Sequence, residues 1–233
     1  MPAERPAVAA ARNPDRMLER MPWESLRALL VGDDDQRDQT LSRLRAFAAE
    51  LLRWNRGVSN LISRADEPRL VERHLAESLA GVAVINALDC NRLVDFGSGG
   101  GFPALPLAIS GVGKSWVLVE SRRNKTLFLR RVIEALSIPS VIVATGRLEV
   151  LIEQEPEALQ CDALTSRATM KVGPTLEMAA RIVRPGGHAI LWKGSGLAQE
   201  LATTQRTWET EWEPPTTHVL ADGRGSIAVF MRK

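Results

Sequence analysis

The pattern Asp95-x-Gly97-x-Gly99-x-Gly101 places a carboxylate and three glycines at every second position, and these residue types at this spacing are typical of a ligand-binding loop. The run before the first glycine, residues 92–96, is apolar and β-favouring, and it predicts a buried strand. Glycines directly after a strand allow positive φ angles and let backbone N–H groups approach a ligand without a Cβ in the way. The apolar run after residue 102 predicts a helix. Together these features predict a site for a nucleotide-sized ligand at the start of that helix.

Two ligand classes fit this glycine turn. Gly99-x-Gly101-x-x-Ala104 matches the loose fingerprint of dinucleotide-binding proteins, and Glu120 follows where that fingerprint expects an acid for a ribose. The longer pattern adds Asp95 on the strand itself. A carboxylate at that position can order the glycine loop and face a cationic ligand, such as the sulfonium and amino-acid end of S-adenosylmethionine.

The longer pattern resembles motif I of the class I S-adenosylmethionine-dependent methyltransferases. This resemblance implies an α/β, Rossmann-like fold with a seven-stranded, mostly parallel sheet, an antiparallel C-terminal strand and an N-terminal helical segment. Hydrophobic periodicity predicts two longer N-terminal helices, at 38–56 and 67–88. Apolar runs predict strands at 115–120, 140–145, 161–169 and 188–194, and we expect two more strands around 206–213 and 225–231.

These elements divide the chain into three parts. We expect residues 1–36 to form a tail and short helices, residues 37–89 a helical extension, and residues 90–233 the methyltransferase domain. At 233 residues the chain can bury a substantial core as one large domain or as one domain with a small appendage.

Composition narrows the function classes. The chain is 45% hydrophobic and 25% charged, and no apolar run approaches membrane-spanning length, so we expect a cytoplasmic protein without a membrane partner. Cys90 and Cys161 lack a metal-type spacing and are interpreted as reduced structural thiols, and we expect no metal. Residues 90–147 carry eight Lys and Arg against three acids. This basic excess fits an RNA substrate, and an arginine-favouring genome explains it equally well.

Motifs outside the glycine loop carry a more specific resemblance. The segments are Trp54-Asn55, Asn60-Leu61-Ile62-Ser63 and Arg73-His74-Leu75-Ala76-Glu77-Ser78. They resemble the N-terminal signature of the RsmG (GidB) family, bacterial methyltransferases of small-subunit ribosomal RNA. Glu77 departs from the aspartate usual in that family, and so does Glu120; both changes keep the negative charge.

The resemblance extends through the rest of the chain and implies roles for individual residues. It covers the helix after Glu120, an Arg-x-Glu element at 147–149, Ser166-Arg167-Ala168 and Lys193-Gly194. The cofactor-binding residues implied are Asp95, Gly97, Gly99, Gly101, Phe102, Glu120, Leu148, Glu149 and Arg167. The candidates for positioning the substrate are His74, Arg123, Lys125, Arg167 and Lys193. Solvation of a helix face explains Arg123 and Lys125 equally well, and without the family match His74 is better explained as a packed histidine.

By this resemblance the reaction is methyl transfer from S-adenosylmethionine to N7 of a guanine in 16S ribosomal RNA. N7 carries an in-plane lone pair, so the absence of an obvious general base is expected. The implied partner is 16S ribosomal RNA or the small ribosomal subunit, and we expect a monomer. Two alternatives stay open at this point: an NAD(P)-dependent oxidoreductase, and a noncatalytic rRNA- or ribosome-binding module that keeps the fold.

Overall fold

The protein is described by a computed structural model that covers residues 14–233, apart from the side chains of residues 205–207. The predicted tail up to residue 13 lies outside the described residues. The strands of the described chain are β1 Arg92–Phe96, β2 Ser115–Glu120, β3 Val141–Thr145, β4 Cys161–Arg167, β5 Val183–Gly194, β6 Thr216–Val219 and β7 Gly225–Met231. They form one seven-stranded sheet in the order β3–β2–β1–β4–β5–β7–β6.

Helices precede and alternate with these strands. In chain order the α-helices are α1 Pro14–Glu19, α2 Asp34–Gly57, α3 Ala76–Leu79, α4 Gly81–Asn86, α5 Ala104–Ile109, α6 Arg123–Ala135, α7 Leu148–Gln154, α8 Pro156–Leu159, α9 Val172–Ala179 and α10 Leu197–Trp208. Short 3-10 helices lie at Trp23–Leu29 and Glu67–Arg69, and a π-helix spans Leu70–Leu75.

The central strands of the sheet are buried on both faces because they present apolar side chains alternately to two layers, whereas the edge strand β6 is exposed. On one face, Leu93 and Leu118 pack in a core shared with the N-terminal helices, α5 and α6. On the other face, Val94 and Val119 pack in a second core shared with α7, α9 and α10. The first core runs without a break from the N-terminal helices into the sheet.

The strand directions confirm the predicted fold class. β1, β2, β3, β4 and β5 pair in parallel, whereas β7 lies antiparallel to both β5 and β6. Because β7 runs backwards, its first residue, Gly225, lies opposite Gly194, the last residue of β5. The turn between β6 and β7 is therefore at the same edge of the sheet as the ends of the parallel strands.

The strand predicted at 206–213 is wrong. Helix α10 covers its first part, and the edge strand β6 begins only at Thr216. Trp208 and Trp212, four residues apart, are both buried in the second core. A spacing of four places two side chains on one face of a helix and also on one face of a strand, so the spacing of the two tryptophans fits either element.

The helix predicted at 67–88 is present but divided into consecutive pieces. The π-helix Leu70–Leu75 is its widest turn, and π-turns are often found at functional sites. The oxygen of His74 accepts a 2.6 Å hydrogen bond from the Ser78 hydroxyl. Arg167, the last residue of β4, also donates to the oxygens of Arg73 and His74 in this turn. Within residues 14–233, no helix combines the length and apolarity needed to cross a membrane.

Candidate functional site

The ends of β1, β2 and β4 border a cleft of about 600 Å³, which we call the first cleft. The carboxyl edge of a parallel sheet is where open α/β folds bind ligands. The lining segments are 61–62, 73–74, 96–100, 119–122, 146–149 and 167–170, together with Asp66, Phe102 and Lys125. These segments carry the motifs identified in the sequence, and the fold brings them to one place.

The glycine loop forms the base of the first cleft. Gly97 has a φ of +74°, and its N–H donates to the oxygen of Val119 at 2.9 Å. A Cβ on Gly97 would lie 2.6 Å from the side chain of Thr169, so a larger residue does not fit. Gly99, with a φ of +54°, lines the cleft, whereas Gly101 turns the chain toward α5 and does not line it.

Asp95 lies beneath the loop rather than in the cleft wall. Its side chain is fully buried on β1, and Oδ1 accepts a 2.7 Å hydrogen bond from the Thr165 hydroxyl. Oδ2 has no hydrogen-bond partner within the described residues. Burial raises the pKa of this carboxyl to about 7, against the lowering effect of its hydrogen bonds. The sequence predicted that Asp95 would order the loop and face the ligand; the structure places it as a buried support under the loop.

Glu120 connects the glycine loop to the end of β2. One carboxylate oxygen accepts from the N–H of Gly99 at 3.0 Å, and the other accepts from the N–H of Arg122 at 2.8 Å. The side chain lines the first cleft and is almost completely buried. Each carboxylate oxygen has a second lone pair, so Glu120 can still accept from hydroxyl groups of a ligand.

The far end of the first cleft is formed where β3 runs into α7. Leu148 is buried and presents an apolar surface to the cleft, while Glu149 is about half exposed. Arg147 lies 3.7 Å from Glu149. This end offers an apolar contact beside a carboxylate, which suits a flat ring with polar edges.

Phe102 and His74 form the opposite wall. Their ring centroids are 5.0 Å apart, and Phe102 also packs edge-on against Phe47 of α2 at 5.5 Å. Burial, together with the nearby charge of Arg167, lowers the pKa of His74 to about 4, so its imidazole is neutral at pH 7. Its Nε2 is buried, has no hydrogen-bond partner within residues 14–233, and lies 3.9 Å from Asp66.

This wall is held by a hydrogen-bond network from the end of α2. Asn55 is buried, and its Oδ1 accepts from the N–H groups of Leu61 and Ile62 at 2.6 and 3.0 Å. Its Nδ2 donates to Glu67 at 2.8 Å, and Arg56 donates to the other oxygen of that carboxylate. The Trp-Asn motif therefore shapes the cleft without lining it.

Arg167 stands between the first cleft and a second one. Its guanidinium donates to Glu77 at 2.6 Å and to the oxygens of Arg73 and His74 in the π-helix. The second cleft is also about 600 Å³ and lies at the ends of β4 and β5, beneath the β6–β7 turn. Arg73, Arg167 and residues 168–170 line both clefts. We call this strip the shared wall.

The other residues predicted to position the substrate lie in different places. Lys193 lines the second cleft, where its ammonium donates to the oxygen of Met170 and to Glu200, at 2.7 and 2.9 Å. Lys125 lines the first cleft. Arg123 is exposed at the start of α6 and lines neither.

Sequence reasoning missed most of the second cleft. Its rim includes Arg69, Lys171 and Arg224, and the turn residue Asp222. These residues are isolated in the sequence and match no spacing pattern. The Asp-Gly-Arg-Gly run at 222–225 was the one available signal, because such a run predicts a tight turn between two strands.

The two cysteines do not take part in this site. Cys90 and Cys161 are free and buried, and burial raises the pKa of their thiols to about 11 and about 12. Neither is a thiolate near pH 7, so neither suits nucleophilic attack. Within the described residues, no cluster of His, Cys, Asp and Glu is arranged to hold a metal ion.

Comparison with known proteins gives consistent matches. The model of the GidB family, described as rRNA small subunit methyltransferase G, matches residues 40–226. A ribosomal RNA small subunit methyltransferase G of Rhodospirillum centenum is 37% identical over 170 residues, covering 73% of this chain and 74% of that protein. The protein of that name from Rhodopseudomonas palustris is 35% identical over 199 residues, covering 83% of this chain and 81% of its own.

Solved structures confirm the fold independently of sequence. An O-methyltransferase from Bacillus cereus, solved in complex with SAH, superposes with a TM-score of 0.59 at 16% identity. The match covers 90% of this chain and 96% of that one. At such low identity the likeness concerns the fold alone. The family model, by contrast, spans both the glycine loop and the N-terminal wall of the first cleft, and the chain belongs to the GidB family of rRNA small subunit methyltransferases.

Proposed function

We propose that this protein transfers a methyl group from S-adenosylmethionine to N7 of a guanine in 16S ribosomal RNA. The observation that carries the proposal is the convergence of separate family motifs on one cleft. The segment held by Asn55, the histidine of the π-helix, the glycine loop, Glu120 and Arg167 are far apart in sequence and meet around the first cleft. The family match therefore corresponds to an assembled site.

The first cleft fits S-adenosylmethionine in three respects. Gly97 and Gly99 have positive φ angles, so the loop backbone can approach a ligand closely. Glu120 is positioned to accept from the two ribose hydroxyls, and Leu148 and Glu149 to contact the adenine. Asp95 supports the loop from below. When bound, the cofactor supplies a methyl group activated by its sulfonium.

Methylation at N7 fits the charged groups of the second cleft. N7 of guanine has a free in-plane lone pair, so no proton has to be removed before it attacks. Arg167 is held by Glu77, and Lys193 by Glu200, so each cation has a carboxylate partner. We therefore assign Arg167 and Lys193 to positioning, and His74, which is neutral, to packing. Alignment of the base with the methyl group is then the main contribution of the protein.

We further propose that the protein acts as a monomer on the small ribosomal subunit and therefore in the cytoplasm. The rRNA relatives support this partner, since their names state the small-subunit RNA as substrate. The oxidoreductase alternative predicts retention of a nicotinamide dinucleotide. The noncatalytic alternative predicts subunit binding without methyl transfer.

The decisive experiment measures transfer of a radiolabelled methyl group from S-adenosylmethionine to small subunits purified from cells that lack the corresponding gene. Nucleoside analysis of the digested 16S RNA identifies the product. We expect label in 7-methylguanosine and none when subunits from cells with the gene are used. Label in another nucleoside would retain the enzyme class and reject N7. No label, with S-adenosylhomocysteine still binding in calorimetry, would favour the noncatalytic module.

A further inference from the structure

The second cleft has a ring of cations that the fold leaves without carboxylate partners. Across residues 14–233, the side chains of Arg69, Lys171 and Arg224 make no hydrogen bond and no ion pair, and all three are exposed. They come from three different elements: the 3-10 helix Glu67–Arg69, the residue before α9, and the β6–β7 turn.

The other three cations that line the second cleft each have a carboxylate partner, unlike Arg69, Lys171 and Arg224. Arg73 lies 3.5 Å from Asp66, Arg167 2.6 Å from Glu77, and Lys193 2.9 Å from Glu200. These three hold the walls in place. The unpaired three surround the opening, where an exposed arginine or lysine can bind a phosphate at low desolvation cost.

Asp222 is the remaining acid at this opening, and the turn itself engages it. Its Oδ1 accepts a 2.9 Å hydrogen bond from the N–H of Arg224, an arrangement typical of aspartate at the start of a turn. This contact helps to fix the backbone of the β6–β7 turn. It uses the N–H of Arg224, so within the described residues the guanidinium of Arg224 has no hydrogen-bond partner.

The shared wall connects this opening to the first cleft. Met170 lines both clefts and is 43% exposed, so its thioether side chain offers an apolar surface at the boundary between them. Its oxygen is held by Lys193, and the N–H of Val172 two residues later is held by Glu200. A flat base in the second cleft would find an apolar contact here, with one edge toward the first cleft.

We propose that the second cleft binds the nucleotide that accepts the methyl group, in a single-stranded stretch of RNA. Arg69, Lys171 and Arg224 bind phosphates of the RNA backbone, and Met170 packs against the acceptor base. The inference rests on the proposed function, because it places the acceptor beside the cofactor cleft. It assigns a second, separate set of residues to substrate binding.

The test replaces each unpaired cation by glutamine: Arg69→Gln, Lys171→Gln, Arg224→Gln and the combination. The matched control is Arg181→Gln, because Arg181 is equally exposed but lies two residues before β5, at the opposite edge of the sheet. Two affinities are measured for each variant: S-adenosylhomocysteine by calorimetry, and unmethylated small subunits by cosedimentation over a series of salt concentrations. Methyl transfer is measured in parallel.

We expect each single substitution to weaken subunit binding roughly fivefold, and the combination on the order of 100-fold, with a shallower dependence on salt. Affinity for S-adenosylhomocysteine should stay within about twofold of the wild type, because the cofactor cleft is untouched. Arg181→Gln should match the wild type in every measurement. A combined variant that binds subunits as tightly as Arg181→Gln, with the same salt dependence, would overturn the inference.

The same measurements separate this inference from the proposed function. A wild-type protein that binds subunits and transfers no methyl group to them would reject the proposed function. The cosedimentation data would then still decide whether the second cleft binds RNA. A wild-type protein that binds no subunits at all would overturn both.

Met170 provides an independent readout. We expect Met170→Ala to lower kcat/KM roughly tenfold through loss of packing on the base, and Met170→Leu, with similar volume, to retain most activity. Because the side chain is partly exposed, neither substitution should change the melting temperature much. Equal activity of the two variants would remove Met170 from the proposed site.

Discussion

Arg167 and Glu77 form a 2.6 Å ion pair between the two clefts, and the same guanidinium donates to the oxygens of Arg73 and His74. One side chain from the end of β4 thus fixes the π-helix and forms part of both cleft walls. The pair is mostly buried, with exposed side-chain fractions of 12% and 20%. Glu77, longer than the aspartate usual in the family, spans this distance directly.

Arg167→Ala should destabilise the fold by about 2–4 kcal/mol, because it leaves Glu77 without its counter-charge and removes one donor each from the oxygens of Arg73 and His74. Burial already raises the pKa of Glu77 against the effect of Arg167, so removing the cation raises that pKa further. Urea denaturation measures the free energy of unfolding. The control is Arg131→Ala, which breaks an exposed pair with Glu50 and should cost no more than about 1 kcal/mol. Equal losses in the two variants would show that the Arg167 pair behaves as a surface contact.

Asn55→Ala should both destabilise the protein and weaken cofactor binding. It removes one acceptor from two backbone N–H groups and one donor from the buried Glu67, a loss of about 2–4 kcal/mol. Because residues 61–62 line the first cleft, affinity for S-adenosylhomocysteine should fall as well. Calorimetry at a temperature where the variant is still folded separates the two effects. Asn60→Ala, at an exposed asparagine in the same loop, should change neither stability nor affinity for S-adenosylhomocysteine. Unaltered affinity in Asn55→Ala would show that the hydrogen bonds of Asn55 stabilise the fold without affecting cofactor binding.

Gly97→Ala should abolish cofactor binding in a protein that still folds. Its φ of +74° disfavours any side chain, and the added methyl would meet Thr169 at 2.6 Å, displacing a loop that lines the first cleft. Gly100→Ala is the matched substitution in the same loop: its Cβ would find its nearest neighbour at 3.4 Å and needs no positive φ. We expect Gly100→Ala to bind S-adenosylhomocysteine within about tenfold of the wild type. Similar losses in both variants would mean that the loop tolerates no side chain anywhere.

Asp95→Asn should change the pH dependence of stability in the ligand-free protein. Burial raises the pKa of Asp95 from 3.8 to about 7, so the folded protein holds a proton that the unfolded chain releases near pH 4. The stabilisation from this group is complete below about pH 4 and is lost as the pH rises to about 7. Asparagine does not titrate. The free energy of unfolding of Asp95→Asn minus that of the wild type should therefore rise across this interval by on the order of 4 kcal/mol and then level off.

His74 titrates in the same interval with the opposite sign. Its pKa is lowered to about 4, so its contribution is complete above about pH 6.5 and is lost as the pH falls toward 4. Because both proteins contain His74, its effect cancels in the difference. A flat difference between pH 4 and pH 7 would show that Asp95 is ionised in the folded protein.

The sequence predicted those parts of the molecule whose backbone conformation depends on residues that are close together in the chain. The pattern from Asp95 to Gly101 identified the strand, the turn and the helix start, because backbone conformation there depends on local residue types. Continuous apolar runs made the parallel strands recognisable for the same reason. The strand expected around 206–213 could not be distinguished from a helix end, because Trp208 and Trp212 are the only apolar residues of a polar stretch and their spacing fits either element.

Other features depend on contacts between distant segments and could not be read from local patterns. Asn55 is identified by a family motif, but its role depends on the N–H groups of residues 61–62 and on Glu67. The second cleft combines single cations from three elements, and the two farthest apart in sequence, Arg69 and Arg224, are separated by 155 residues. No spacing rule connects Arg69 with Arg224; only the antiparallel return of β7 brings them to one edge.

The β6–β7 turn has a consequence for how this family can diversify. Residues 221–224 of this turn are exposed, the turn is closed by backbone hydrogen bonds and by the Asp222–Arg224 contact, and the glycine loop lies on other strands. Mutation can therefore change the length and charge of the turn while the cofactor cleft stays intact. In evolutionary terms, substrate preference and cofactor use are separable in this architecture, and relatives that diverge in acceptor should differ first at this hairpin.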